Sequence, residues 1–362
     1  MNQDVVKLKV ISGTDQLEIT GWTNLSITRG IERIPNSFDL RMSEKIPDLD
    51  YIEVIEGSKC QVLIGDEVVV TGYIDRVIPI ISGEQHTIQI VGRGLCQDLV
   101  DCSAVYKGMQ FMNMSVESIA RSLCEDFLIG VISEIEPDPI STQNINFGET
   151  SAAVIERICR IAQALYYEDE FGNLVLSRER NDVASGVLMQ GVNVENATYV
   201  RGMDQRYSHY TIVYPNAQLT PDITNGISFG HYTLEDKTVP RYRPLYIIPE
   251  DGDAGFLVAE KRIFWEAKRR YARSYMLRAT VTNWRDSDEK LYKPNTQIKI
   301  NIPKLKLENE NWLIGEVTYR IDETGTRCDL LVMPVGAFSL QPIVPYQGLP
   351  VDVLNAAGAG KQ

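Results

Sequence analysis

In "TIQIVGRGLCQDLV", Gly92 and Gly94 follow a strand-like run and open onto a helix-like one. That is the setting in which a Gly-x-Gly-x-x-Gly turn cradles a pyrophosphate on backbone N–H groups. The third glycine position holds Gln97, so the stretch reads as a tight strand-to-helix turn. Neither a Gly-x-x-x-x-Gly-Lys-Ser/Thr loop nor a Gly-x-Ser-x-Gly elbow occurs. His86, His209 and His231 stand far apart in polar or strand-like runs, which suits surface residues better than bases. Carboxylates cluster at Asp286 to Glu289 and at Glu250 to Asp253. Both clusters lack the glycine and bidentate-Glu spacing of a calcium loop, and they read as solvated turn acids. Cys60, Cys96, Cys102, Cys124, Cys159 and Cys328 form no Cys-x-x-Cys pair and have no histidine at metal spacing, as expected of reduced, buried thiols. The sequence therefore predicts no catalytic residue, no metal site and no cofactor.

Composition narrows the classes further. Of the 362 residues 44% are hydrophobic and 23% charged, and no run of 18 apolar residues exists that would cross a bilayer as a helix. The start, "MNQDVVKLKV", alternates like a strand and carries an early acid, unlike a signal peptide, so synthesis and folding in a cytoplasm are expected. A net charge of −13 argues against general nucleic-acid affinity, which rests on Lys and Arg displacing counterions from phosphates. Seventeen tyrosines and four tryptophans suit strands and interfaces, and would also suit a sugar-binding surface.

Short runs rich in Val, Ile and Thr fill the first hundred residues, separated by Gly, Asp, Asn or Pro. They predict a barrel or sandwich. Helical spacing then takes over. Ser115 is placed to cap a helix with Val116, Ile119, Ala120, Leu123, Cys124 and Phe127 on its apolar face, and a second helix presents Val154, Ile155, Ile158, Ile161, Ala162 and Leu165. Gly172-Asn173 turns a hairpin, completing a small α+β unit. The strongest helix is "FLVAEKRIFWEAKRRYARSY", with Phe256, Ile263, Ala267, Tyr271 and Tyr275 on one face. Lys261, Arg262, Lys268, Arg269, Arg270 and Arg273 fill the rest, either as a solvated basic face or as a docking surface for an acidic partner or second subunit. Strands resume after it, and a tail from Phe338, with Pro345 and Tyr346 within it, reads as an extended arm.

A diverged internal repeat is visible. Gln61–Ile64, Thr71–Val77, Gly83 and Thr87–Val91 recur in order as Gln297–Ile300, Ile314–Arg320, Gly325 and Thr326–Leu331. In that alignment Gly72 matches Gly315, and both are expected to be bulges or bends of a β meander.

The ordered set "VVTGYIDRV", "IQIVGRGLCQDLVDCS", "NFGETSAAVIERICRIAQALYYEDEFGNLVLSR", "QRYSHYTI", "VPRYRPLYI" and "GTRCDLLVMPVGAF" resembles the baseplate hub proteins of Mu-like contractile-tailed phages, from about Val5 to Phe338. The resemblance extends to the N-terminal part of type VI secretion spike proteins. It implies an α+β, mainly β fold with two tail-tube-like antiparallel β-barrel domains and small interposed α+β domains. The division expected is 1–97 first barrel, 98–188 insertion, 189–218 with 276–337 second barrel, 219–275 an insertion bearing the basic helix, and 338–362 a tail. It further implies a homotrimer whose six barrels join a hexameric tail tube to a trimeric central spike, among other baseplate proteins, in the virion. DNA would pass through without specific binding, along a wall expected to be net negative. The competing readings are a tail-associated peptidoglycan hydrolase and a carbohydrate-binding adhesin.

Overall fold

The computed structural model describes residues 4–12, 15–43, 54–83, 86–137, 139–215, 229–248 and 256–339. Alternating β-branched runs become strands because one row of side chains can be buried while the other stays wet. Thirteen of them form one large sheet. These are β1 (Val6–Ser12), β2 (Asp15–Ile19), β3 (Asn24–Gly30), β4 (Ser37–Ser43), β5 (Lys59–Ile64), β6 (Glu67–Ile81) and β7 (His86–Gly94). The later six are β8 (Val183–Met189), β9 (Val194–Arg201), β10 (Tyr275–Val281), β11 (Gln297–Ile302), β12 (Leu307–Asp322) and β13 (Gly325–Met333).

Strand order exposes the duplication. The first set runs β3-β4-β7-β6-β5-β1 and the second β9-β10-β13-β12-β11-β8, position for position. Bulges coincide as well: the β6–β7 register skips Asp75 between Ile74 and Arg76, and the β12–β13 register skips Gly315 between Ile314 and Glu316. The registers therefore equate Gly315 with Asp75, and Gly72 with Trp312. This corrects the glycine-to-glycine match drawn from sequence. A bulge is defined by the residue left out of the ladder, and Asp75 fills that place without being a glycine. The sets differ at one end, where β1 is antiparallel to β5 while β8 is parallel to β11.

Half of the chain is strand and 17% helix, in several sheets, and among the described residues none of them closes into a barrel. The two expected barrels are instead halves of one sheet, joined where β3 pairs antiparallel with β12 from Leu25↔Ile321 to Gly30↔Glu316. An edge strand leaves a row of N–H and C=O groups unpaired, and here each set offers one to the other. A single core unites both halves, from Leu8, Ile27, Leu40 and Val62 to Ile298, Val317, Tyr319 and Val332.

Two further units hang from this sheet. One holds α1 (Gln97–Asp101), α2 (Val116–Cys124) and α3 (Ser151–Ala162) with two small sheets. Ser115 Oγ accepts from Ser118 N–H (3.1 Å) and Thr150 Oγ1 from Ala153 N–H (3.3 Å), so both longer helices start at hydroxyl caps. Their apolar faces meet around Ile119, Leu123, Val154 and Ile158. The second unit is a three-stranded sheet, Phe229–Glu235, His209–Pro215 and Pro244–Ile247, packed on α4 (Phe256–Arg273) through Tyr210, Ile212 and Ile263. Residues 209–215 thus leave the second strand set to which the sequence assigned them, and 183–189 join it by pairing with β11.

Candidate assembly surface and the junction behind it

None of the glycines suspected of ligand contact faces a ligand-sized space. A β-carbon on Gly72 would overlap the Arg93 carbonyl, one on Gly92 the Phe38 ring and the Tyr73 carbonyl, and one on Gly94 the Glu168 carboxylate. These glycines exist for close packing, so the dinucleotide reading of Gly92 and Gly94 falls away. Gly325 is the turn glycine between β12 and β13, with φ at +110°.

The Glu168 carboxylate fills the space beside Gly94 and belongs to a junction that the sequence did not reveal. It accepts from the backbone N–H of Asn36 (2.7 Å) and of Cys96 (2.8 Å), while Asn36 Nδ2 donates to the Glu168 carbonyl (3.1 Å). Two residues on, Glu170 accepts from Arg29 (2.7 Å) and Lys293 (3.1 Å), and its carbonyl accepts from Thr71 Oγ1 (3.0 Å). One hairpin of the insertion therefore grips β3 and β6 of the first set and the loop before β11 of the second. Asn295 adds a tie, accepting from Arg180 N–H (3.1 Å) and donating to the Arg178 carbonyl (3.0 Å).

The two glutamates are tuned in opposite directions. Burial pushes Glu168 up to about 7, against the pull of the Cys96 and Asn36 amides. Burial also opposes the charge on Glu170, but Arg29 and then Lys293 outweigh it and hold the group at about 2. A raised folded-state pKa gives stability that is present below the ordinary value and lost as pH climbs through the raised one; a depressed pKa does the reverse. Stability of the junction is thus expected to fall as pH drops from about 4.5 toward 2, and again as it rises from about 4.5 through 7. Urea midpoints across that range check this, and Glu168→Gln should abolish the upper slope alone.

The basic helix α4 is mostly turned to internal use. Arg269 and Arg273 both pair with Glu32; Arg269 donates to the Ser339 carbonyl (2.6 Å) and Arg273 to the Ala337 carbonyl (2.9 Å). Arg270 pairs with Glu266 (2.6 Å), as does Arg262 (3.6 Å). Lys268 is exposed, whereas the side chain of Lys261, together with Pro345 and Tyr346, lies outside the described residues. The expected apolar face is only partly buried: Ile263 is fully covered and Tyr271 is 45% exposed.

Among the described residues no group of His, Cys, Asp and Glu can hold a metal, and five of the six thiols are buried, all six free. Asp286 accepts from the N–H groups of Asp288 (2.9 Å) and Lys290 (3.0 Å), an ordinary turn acid. Residues 250–253 lie outside the described residues. No described helix is long and apolar enough to cross a membrane.

Among the strand edges left open in the described residues, two occupy matching places in the two sets. Residues 76–81 of β6 pair only with β7, after the bulge at Asp75, and β9 ends the large sheet beside β10. Ile78, Ile80 and Ile81 are exposed on that β6 segment, Ile81 by 79%. The sheet face turned from the core mixes charges, with Arg41, Arg93, Arg278 and Arg320 against Asp39, Glu316, Asp322 and Asp329. Pairs such as Arg320 with Asp329 (3.3 Å) bring opposite charges together on this face.

The duplicated, bulged sheet, its two halves joined edge to edge, is a fold shared with phage tail proteins. The chain belongs to the baseplate hub proteins of Mu-like phages. It is 30% identical over 328 residues to the baseplate hub protein gp44 of Escherichia phage Mu, covering 88% of this chain and 86% of that protein. Family models match in order: Mu phage baseplate assembly protein GpP-like, N-terminal, at 6–94; baseplate hub protein gp44-like, second domain, at 96–178; and GpP, fourth domain, at 257–341. The crystal structure of the 43 kDa tail protein of prophage MuSo2 from Shewanella oneidensis is similar at 32% identity and a TM-score of 0.82, over 93% of this chain and all of that one. An E. coli type VI secretion component, described as similar to the T4 tail proteins gp27 and gp5, shares the fold at 10% identity and a TM-score of 0.59, over 94% of this chain and 80% of its own.

Proposed function

We propose that three copies of this hub close into a ring of six related sheet units, joining a six-fold tail tube to a three-fold spike around a channel that DNA traverses. The observation that carries this reading is the internal seam. The chain pairs β3 of its first set with β12 of its second, and it leaves open the two matching edges, β9 and residues 76–81 of β6. Head-to-tail pairing of these edges between copies repeats the internal seam, and a ring results if the rotation closes.

The duplication even supplies the register. Carrying the β3–β12 pairs over through β4 and β10 puts Arg201 opposite Val77, Thr198 opposite Ile80 and Ala197 opposite Ile81 of the next copy. Ile31 N–H donates to the Gly315 carbonyl (2.9 Å), which fixes the phase of the internal ladder. By equivalence the backbone of Val77, Pro79 and Ile81 faces the open edge. Pro79 has no N–H, so the seam forgoes that one donor, as edge prolines do.

Thr198 and Ile80 would form a non-hydrogen-bonded pair, where Cα atoms approach to about 4.5 Å, within reach of a disulfide. The double variant Thr198→Cys, Ile80→Cys is expected to give an oxidised ladder on non-reducing gels that stops at three chains, while each single variant gives none from this seam. A ladder running past three, or no crosslink at all, would reject the ring.

A further inference from the structure

We propose that the groove between α3, α4 and the β3–β4 turn is the seat of this chain's own proline-rich tail, residues 340–350. The inference is separate from ring closure and holds in a single copy. Ile31, Ile34, Leu165, Tyr166 and Trp265 line the groove, a cavity of about 420 Å³, and Arg269 stands at its edge.

Three observations select the occupant. First, the chain is delivered to the groove: Trp265 Nε1 (3.1 Å) and Arg269 (2.6 Å) both donate to the carbonyl of Ser339, the last described residue. The two side chains that hold Ser339 are themselves part of the lining, so the described chain ends at the groove mouth. Second, the chemistry matches. "LQPIVPYQGLP" is uncharged over its whole length and carries Pro342, Pro345 and Pro350. Proline-rich segments lose little entropy on docking and favour grooves walled by aromatic rings. Here Trp265 and Tyr166 supply the rings, and Arg262 and Arg269 stack over the Trp265 indole at 5.0 and 5.5 Å, holding it in place.

Third, the charges lining the groove nearly cancel, which suits a neutral guest: Glu32 and Glu156 stand against Arg33, Arg160 and Arg269, and Arg269 pairs with Glu32. Attachment in cis also favours this occupant, because a short tether holds it at an effective concentration in the millimolar range. Eleven residues of extended chain reach about 34 Å at roughly 3.1 Å each, ample for a groove that starts at the tether.

The test uses the full chain with Tyr346→p-benzoylphenylalanine. Irradiation is expected to give crosslinks within one chain, to residues 31–34 and 156–166. Crosslinks between two copies would assign the groove to a neighbour's tail, and crosslinks scattered elsewhere would leave it without this occupant; either overturns the proposal. A second full-length variant replaces residues 342–350 by Gly and Ser at constant length. Amide exchange at 31–34 and 160–166 is expected to quicken at least about threefold, since uncovering lowers local protection. Unchanged exchange contradicts the proposal even if the photoreactive variant misfolds.

Discussion

Gly72→Ala is expected to destabilise the protein by about 3 kcal/mol or more, enough to leave much of it unfolded or aggregated at 37 °C. Gly72 pairs with Cys60 on one side and Gly94 on the other, in the middle of a sheet. The atom that an added methyl would meet is the Arg93 carbonyl, followed by the Cα of Gly94. Backbone cannot rotate away as a long side chain does, so β6 and β7 must separate at the point where Gly94 N–H donates to Asn36 (2.9 Å) and Leu95 N–H to Thr71 (3.1 Å). Gly315→Ala is the informative contrast. Its nearest neighbour would be the Phe338 ring, which can shift, and its backbone is not in the left-handed region. A smaller loss of about 1–2 kcal/mol is expected there. Urea midpoints of the two variants measured together check the ranking, and equal losses would contradict it.

Arg29→Met should have the second large effect, about 3–5 kcal/mol. The Arg29 side chain is almost wholly buried, and its partner Glu170 is largely so. A methionine fills the volume and leaves the carboxylate with Lys293 as its one remaining cation (3.1 Å). Glu170 would then titrate closer to its ordinary range, since Arg29 is the larger of the two influences holding it down. The variant should therefore lose the acid-side slope of stability between about 4.5 and 2 that the parent shows. Chemical denaturation at pH 3 and pH 6 separates this from simple loss of packing, which lowers both values equally.

Local pattern was the legible part of this molecule. The strands of both sets, the Ser115 cap, the face of α3 and the hairpin at Gly172 follow from periodicity and turn chemistry, which act over a few residues. Pairing was legible only as a vague repeat. Gly72 looked special and is, but its structural counterpart is Trp312, because ladders count positions and not residue types. The joining of both sets into one sheet, in place of two barrels, was unreadable, since nothing in β3 alone says that its free edge will meet Ile321 rather than a strand of its own set. The same blindness applies to charge. Arg273 finds Glu32 across 241 positions and Arg29 finds Glu170 across 141, and no local signal distinguishes such an arginine from one left for a partner.

The seam between β3 and β12 has a kinetic consequence. A ring built from six separate chains needs every joint to form by encounter, and each encounter forfeits translational and rotational freedom worth several kcal/mol. Here one joint of each pair is folded before any two copies meet. In a ring of the proposed kind, half of the joints are thus independent of protein concentration, and dilution threatens only the rest. In such a ring the covalent link would also free the two joints to diverge, the internal one backed by a shared core and the one between copies lacking the donor that Pro79 removes.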